Sequence, residues 1–464
     1  MADHTHDLII VGMGSGGLVA AEFAAKLGVR VAVVERDKVG GDCLWTGCVP
    51  SKALLAAGKV AHQIRTAGEF GITTSEPQID LPAVFRRIRQ VQQRIATTDD
   101  SPERYEAMGV EFVYGDARLT GANTVTVGDR TLEAKHILLC TGSRPATPPI
   151  QGLAEAGFLT SETVWDVDQP PRSVVIIGGG PIAAEMAQGL NRLGVATTLL
   201  ECEPRLLGRD EPELVEIVTE RLRREGVDVC TNAQIDRVTA DNGAKVVHAG
   251  GKQYRAEEIF VAAGRTPNVD GLGLEELGID VHEKGVATDA RLRTTVSSIH
   301  AAGDVAGRHL FTHSAGYEAA MAVRDMFFPG KGKADELVPW CTFTDPELAH
   351  AGLTSEQAVA EHGEQNVQLH RTTLDHSDRA RADGSDDGAM VLVTAKDKLV
   401  GAHIAAASAG EMIHECVLAI REGMKLRDLS KMVHVYPTLS TSIGLLAAEA
   451  QYGRAQQLKW LVRK

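Results

Sequence analysis

Two stretches of this chain, with first glycines at positions 12 and 178, follow the same pattern, and that repeat limits the fold more than any other feature. The first runs Leu8-Ile9-Ile10-Val11, Gly12-x-Gly14-x-x-Gly17, an alanine-rich helix to Gly28, then an apolar strand closing on Glu35. The second runs Val174-Val175-Ile176-Ile177, Gly178-x-Gly180-x-x-Ala183, a helix to Gly194, then a strand closing on Glu201. In both, the acid lies 23 positions after the first glycine. Strand, glycine turn, helix and second strand make a βαβ start, which builds a parallel sheet with helices on its faces. The first glycine permits the tight turn, the second lets a pyrophosphate approach the backbone, and the third position must be small for helix-on-sheet packing. The helix N-terminus then offers unpaired N–H groups to that pyrophosphate. Glu35 and Glu201 stand where an acid accepts the hydroxyls of an adenosine ribose. Two such units predict two dinucleotide sites in one chain.

The chain has 464 residues, room for roughly three domains at about 150 residues each. Forty-eight Lys and Arg against 62 Asp and Glu leave a formal charge of −14, which repels phosphate backbones and anionic lipid. No nucleic-acid or membrane partner is expected. Apolar runs such as Val31 to Val34 fall far short of the roughly 20 residues needed to span a bilayer. Met1 to Asp7 is polar, without a basic segment or cleavage site, so a cytoplasmic protein is expected.

Breaker clusters at Pro145 to Pro149, Asp168 to Pro171 and Gly264 to Asn268 suit crossings between domains. The expected fold is α/β: one Rossmann-like domain from 1–150 and 277–340, a second from 151–276, and a C-terminal α+β domain over 341–464. In the last part, short apolar runs (Met390 to Val393, Leu399 to Ile404) alternate with an amphipathic stretch, Glu411 to Met424. Residues 82–97 place Phe85, Ile88, Val91 and Ile95 at helical spacing, a half-buried helix. Ile299 to Ala302 reads as a strand ending in Gly303-Asp304, and Asp378 to Gly384, with Arg379 and Arg381, reads as a solvated hairpin.

Of seven cysteines, only Cys43 and Cys48 are close in sequence, and in a reducing compartment such a pair is a redox candidate. Five residues of regular helix advance about 7.5 Å, beyond the Cα separation a disulfide tolerates. The pair can bond only if the chain is wound irregularly, and Gly47 is placed to permit that. Pro50 starts a helix just after Cys48, whose dipole, with the ammonium of Lys52, stabilises a thiolate there. Cys140, Cys202, Cys230, Cys341 and Cys416 lie in apolar or strand-like runs and read as small buried hydrophobes. His300 and His313 receive no role.

Taken together, the two nucleotide motifs, Cys43-Leu44-Trp45-Thr46-Gly47-Cys48-Val49-Pro50-Ser51-Lys52, Ile137 to Gly142, Ala263 to Asn268 and Ala302-Gly303-Asp304 resemble the pyridine nucleotide-disulfide oxidoreductases. These flavoproteins include dihydrolipoamide dehydrogenase, glutathione reductase and mercuric reductase, and the resemblance covers essentially the whole chain. It implies that Gly12, Gly14, Gly17 and Glu35 hold the ADP half of FAD, with Thr141, Gly142 and Gly303 nearby and Asp304 accepting from the ribityl chain. Gly178, Gly180 and Glu201, with Gly264 and Arg265, would serve NAD(P)H. Cys48 would be the sulfur facing the flavin and Cys43 the one meeting substrate. Lys52, paired with Glu185, would place positive charge where reduced flavin accumulates negative charge. The C-terminal domain would form a homodimer and complete the partner's active site.

One motif departs from the family. Where dihydrolipoamide dehydrogenase and glutathione reductase carry a C-terminal His-Pro-Thr-x-x-Glu, this chain has Tyr436-Pro437-Thr438-Leu439-Ser440-Thr441. A tyrosine, with an ordinary pKa of about 10, is a poor acid at neutral pH. Tyrosine there resembles mercuric reductase, although the terminal Lys459 to Lys464 lacks that family's Cys-Cys pair. His434 reads as an ordinary surface or core histidine; as a displaced acid it would point the same way as Tyr436 on an extended segment. Glu201 favours NADH over NADPH, with Arg205 and Arg209 close enough to blunt the preference. The expected activity is transfer of electrons from NAD(P)H through FAD and a Cys43–Cys48 disulfide to a thiol-reactive acceptor, a soft metal ion such as Hg(II) or a small disulfide. The alternatives are a quinone or dye reductase, and a dihydrolipoyl dehydrogenase-like component of a complex. No resident metal is expected.

Overall fold

Continuous apolar runs become strands covered on both faces, and the computed structural model, which describes residues 4–241, 243–330 and 332–457, shows two such parallel cores. The terminal segment 459–464 lies outside the described residues. In the first core, His6–Val11 pairs in parallel with Val31–Glu35 on one side and Arg130–Leu139 on the other. Glu111–Tyr114 extends one edge, and the hairpin strands Thr124–Val127 and Ala117–Gly121 the other. Ile299–Ala301 returns to pair in parallel with Arg130–Leu139. Leu8, Ile9, Ile10, Val33, Ile137, Leu138 and Ile299 are fully buried.

The second core is a four-stranded parallel sheet ordered Asp228–Cys230, Ala196–Leu200, Ser173–Ile177 and Glu258–Val261. A three-stranded antiparallel sheet, Ile235–Asp241, Ala244–Ala249 and Lys252–Ala256, lies beside it in sequence. The chain leaves the first sheet along Ser143–Pro145 and returns along Arg265–Pro267, and these two short strands pair antiparallel. The C-terminal part is a five-stranded antiparallel sheet, ordered Trp340–Thr342, Glu347–Gly352, Lys398–Ala406, Ala389–Ala395 and Val367–Thr373, with Ala409–Arg421 against it. The fold is α/β, with Rossmann-like parallel sheets and an α+β C-terminal part. Among the described residues no helix is long and apolar enough to cross a membrane.

Three local expectations need correction. Residues 378–383 are not a hairpin: Asp378–Ala382 is a short helix, because the Ser377 hydroxyl accepts from the Ala380 N–H and starts a turn. Cys202 is exposed, because it stands in the loop just past the strand Ala196–Leu200 rather than within it. Cys230 and Cys341 are only half-buried, at strands near a sheet edge, whereas Cys140 and Cys416 are buried. The helix Leu81–Ala96 buries Phe85 and Ile88 as its spacing predicts, and also Gln92.

Candidate active site

Both glycine turns are built as their sequences demand. Gly12 has φ +95°, and a Cβ there would stand 2.5 Å from the Cys140 carbonyl oxygen; one at Gly17 would stand 2.1 Å from the Gly12 carbonyl oxygen. Gly178 repeats the geometry, with φ +114° and a Cβ position 2.4 Å from the Ala262 oxygen. The helices that follow, Ser15–Lys26 and Pro181–Arg192, are N-capped by Gly14 and Gly180 and carry no side-chain cap. Their first N–H groups are left for something else. Glu35 is buried beneath the first turn, accepting from the N–H groups of Met13 (2.7 Å) and Asp37 (2.9 Å). Glu201 accepts from the Glu203 N–H at 2.7 Å. Gly12→Ala is therefore expected to cost about 1–3 kcal/mol for backbone strain alone, read as a lowered denaturation midpoint.

Both turns open into one cavity of about 1890 Å³, which also reaches Glu35, Cys43, Cys48, Lys52, Thr141, Gly142, Glu185, Glu201, Gly264, Arg265, Gly303 and Asp304. Two uncapped helix N-termini, each with an acid at the tip of the next strand, fit two dinucleotides in one continuous space. Asp304 is held by the Ser143 hydroxyl at 2.5 Å, and Arg265 ties the same corner together through Ser143 (2.6 Å) and Asp42 (3.3 Å). Burial pushes the Asp304 carboxyl up.

The cysteines stand at a break in the helix. Gly41–Trp45 carries Cys43, Thr46 and Gly47 interrupt it with the Gly47 N–H folded back onto the Asp42 carbonyl, and Cys48 opens Cys48–Thr66. This is the irregular winding that a five-residue spacing requires. Cys48 lies 3.3 Å from the Thr312 hydroxyl. The hydrogen bond from Cys43 holds the Cys48 thiol down at about 6, against burial and with help from Thr312 and the Lys52 charge. The reciprocal bond and burial push Cys43 well above the ordinary thiol range. The two shifts run in opposite directions, down for Cys48 and up for Cys43.

Lys52, one turn beyond Cys48, donates to Glu185 at 2.9 Å, and Glu185 is 6 % exposed in its side chain. A second cavity, of about 580 Å³, is lined by Ser15, Glu22, Arg104, Thr312, Tyr317 and Cys43, but not by Cys48. Cys43 alone of the two cysteines borders both spaces.

Tyr436 is not brought to this site within one chain. It is 69 % exposed, and its hydroxyl donates to Asp378 at 2.7 Å, which raises its pKa. His434 does not point with it, contrary to expectation: it turns inward to Glu415 at 3.0 Å, in a space that Gly444 leaves open for its ring.

Several positioning groups escaped the sequence reading. Gln92 donates to the Leu44 and Trp45 carbonyls, and Trp165 to that of Thr46, so both pin the cysteine loop. Glu318, buried, accepts from the Gly303 N–H at 2.8 Å and fixes the turn before Asp304. Thr312 gave no signal, because its neighbour is 264 residues away.

The chain matches the pyridine nucleotide-disulphide oxidoreductase family over residues 6–322 and that family's dimerisation domain over residues 338–447. It is 34 % identical over 455 residues to mercuric reductase of Bacillus cereus, covering 96 % of this chain and 71 % of the relative. It is 33 % identical over 463 residues to dihydrolipoyl dehydrogenase of Chlorobaculum tepidum, covering 96 % and 97 %. Among solved structures, the Cu(II) complex of the HOCl-induced flavoprotein disulfide reductase RclA from Escherichia coli superposes with a TM-score of 0.86 at 25 % identity, covering 96 % of this chain and 99 % of that one. Relatives of equal identity carry different substrate names, so likeness alone does not select an acceptor. With its two nucleotide turns, its cysteine pair and a match that covers 96 % of its length, the chain belongs to the pyridine nucleotide-disulphide oxidoreductase family, flavoproteins that use FAD and NAD(P)H.

Proposed function

We propose that this protein passes two electrons from NAD(P)H to a soft metal ion such as Hg(II), with Cys43 as the sulfur that meets it. The supporting observation is the polarity of the cysteine pair: Cys48 is poised as thiolate, and Cys43, pushed up as a thiol, borders the second cavity. Reducing a disulfide with NAD(P)H consumes a proton, because two thiols form from one nucleotide and one H⁺. Reducing M(II) to M(0) with NAD(P)H releases one. A metal acceptor therefore needs no general acid, which suits a chain with Tyr436 where its dithiol-handling relatives keep histidine. A soft cation also removes the Cys43 proton on binding, because a coordinating thiol ionises outright. The name of the Bacillus cereus relative and the Cu(II) in the RclA complex point the same way.

In this reading Gly12, Gly14, Gly17 and Glu35 hold the adenosine diphosphate half of FAD, Thr141, Gly142 and Gly303 line its path, and Asp304 accepts from its ribityl chain. Bound FAD supplies the two-electron relay between nicotinamide nucleotide and the cysteine pair. Gly178, Gly180, Gly264 and Arg265 hold NAD(P)H, and Glu201 favours NADH by repelling a 2′-phosphate. Lys52, fixed by Glu185, sets positive charge beside Cys48. The parts 1–150 with 277–340, 151–276 and 341–464 serve as FAD, nucleotide and interface domains. The protein acts as a homodimer, which brings Tyr436 of each subunit to the other's Cys43.

Reoxidation of the two-electron-reduced protein against Hg(II), small disulfides and quinones tests the proposal; faster reoxidation by disulfides than by Hg(II) overturns it. Tyr436→Phe, which removes a phenol able to assist metal-thiolate exchange without shuttling a proton, is expected to slow reoxidation by Hg(II) about tenfold, the loss of roughly one hydrogen bond, and to leave flavin reduction by NADH unchanged, as stopped-flow traces of the two half-reactions will read. Equal slowing of both places Tyr436 outside the acceptor site.

A further inference from the structure

The helix Pro181–Arg192 turns one polar stripe, Glu185, Gln188 and Arg192, toward the start of the C-terminal part, and all three are buried. Their spacing of three and four residues places them on one helix face. Each engages the turn at residues 343–345. Glu185 accepts from the Phe343 N–H at 2.9 Å. Gln188 binds the Asp345 backbone twice, accepting from its N–H at 2.7 Å and donating to its carbonyl at 2.9 Å. Arg192, 4 % exposed, donates to the Asp345 carboxylate at 2.9 Å and in bidentate fashion to Glu225 at 2.6 and 2.7 Å. The turn in turn sends the Phe343 ring over the Lys52 ammonium, 4.5 Å from its nitrogen. Lys52, Glu185, the Phe343 N–H and the Phe343 ring thus form a closed circuit, and Gln188 fixes the one member that belongs to a distant part of the chain.

We infer that Gln188, backed by Arg192, is a positioning residue for the reaction: it locks the 343–345 turn against Glu185 and so sets how much of the Lys52 charge reaches Cys48. This rests on the proposed role of Lys52 beside the Cys48 thiolate. When the turn is free to drift, Glu185 loses its backbone donor and leans wholly on Lys52, while the ring leaves the ammonium. The first change, an unshared carboxylate on the ammonium, withdraws positive charge from Cys48. The titratable and charged groups facing Cys48 are Cys43, Lys52 of its own helix and Glu185 from across it, with the Thr312 hydroxyl as a neutral donor. The remaining five thiols are all raised, so they stay protonated over the range scanned.

The test titrates the thiolate of Cys48 in the FAD-loaded Cys43→Ser protein, by its long-wavelength absorbance with flavin and by ultraviolet thiolate absorbance. Gln188→Leu is expected to lower the thiolate fraction about threefold at one pH unit below the midpoint, a midpoint raised by about half a unit. Lys52→Met is expected to raise it further. If Lys52→Met leaves the midpoint in place, the Lys52 reading itself fails and the inference falls with it. If Lys52→Met moves it and Gln188→Leu does not, Gln188 is merely structural and the inference alone is overturned. Should Gln188→Leu fail to fold, Gln188→Asn, which cannot span both Asp345 backbone groups, is expected to shift the midpoint in the same direction, and an unmoved midpoint there overturns the inference equally.

Discussion

Replacing Cys43 by serine is expected to lower turnover with Hg(II) and with disulfides by about 10³-fold or more, roughly 4 kcal/mol of lost transition-state stabilisation. Reduction of bound flavin by NADH, and passage of electrons to quinones or dyes, should survive. The reason is positional: Cys43 borders the second cavity and Cys48 does not. An acceptor that enters the second cavity and must bond to sulfur therefore has one sulfur to reach. A serine hydroxyl keeps the hydrogen bond to Cys48 but has neither the nucleophilicity nor the softness of sulfur. Steady-state assays with Hg(II), a small disulfide and a quinone on one preparation of the variant decide the matter. Full retention of Hg(II) reduction would sink the sulfur route and leave the quinone or dye reductase reading.

Acidification of the two-electron-reduced protein gives the second large effect. An ordinary thiol has a pKa of about 8.5, whereas Cys48 is held down at about 6, chiefly by the hydrogen bond from Cys43 and further by Thr312 and Lys52. The sign follows from the acid's charge: lowering a thiol's pKa favours its anion, so the thiolate is present above the lowered value and lost as pH falls through it. The long-wavelength absorbance of a thiolate against flavin is therefore expected to be nearly constant from pH 9 down to about pH 7 and to halve near pH 6. Cys48→Ala should lack the band at every pH. A band that halves near pH 9, or survives in Cys48→Ala, would assign the thiolate elsewhere.

Features read from contiguous residues were legible in advance. Gly12, Gly178 and their acids announce themselves because the turn, the close approach and the helix start all act within a few residues of one another. The break at Thr46-Gly47 was likewise implied by the Cys43 to Cys48 spacing, which no regular helix can close. Where reading failed, the deciding neighbour was remote. His434 and Tyr436 lie two residues apart, but their side chains part, one to Glu415 and the other to Asp378.

By itself the sequence determined two βαβ starts and a cysteine pair at the head of a helix, since each is a matter of spacing and residue type, and set beside the family motif it resembles it carried Tyr436 and Thr441 in place of a histidine and a glutamate. Only the tertiary structure decided which sulfur opens to the second cavity, and that Thr312 stands beside Cys48, Phe343 beside Lys52 and Gln188 against the turn that carries Phe343. The physical reason is that charge and hydrogen bonding act through space over a few ångströms, and folding brings within that range residues that lie hundreds of positions apart along the chain.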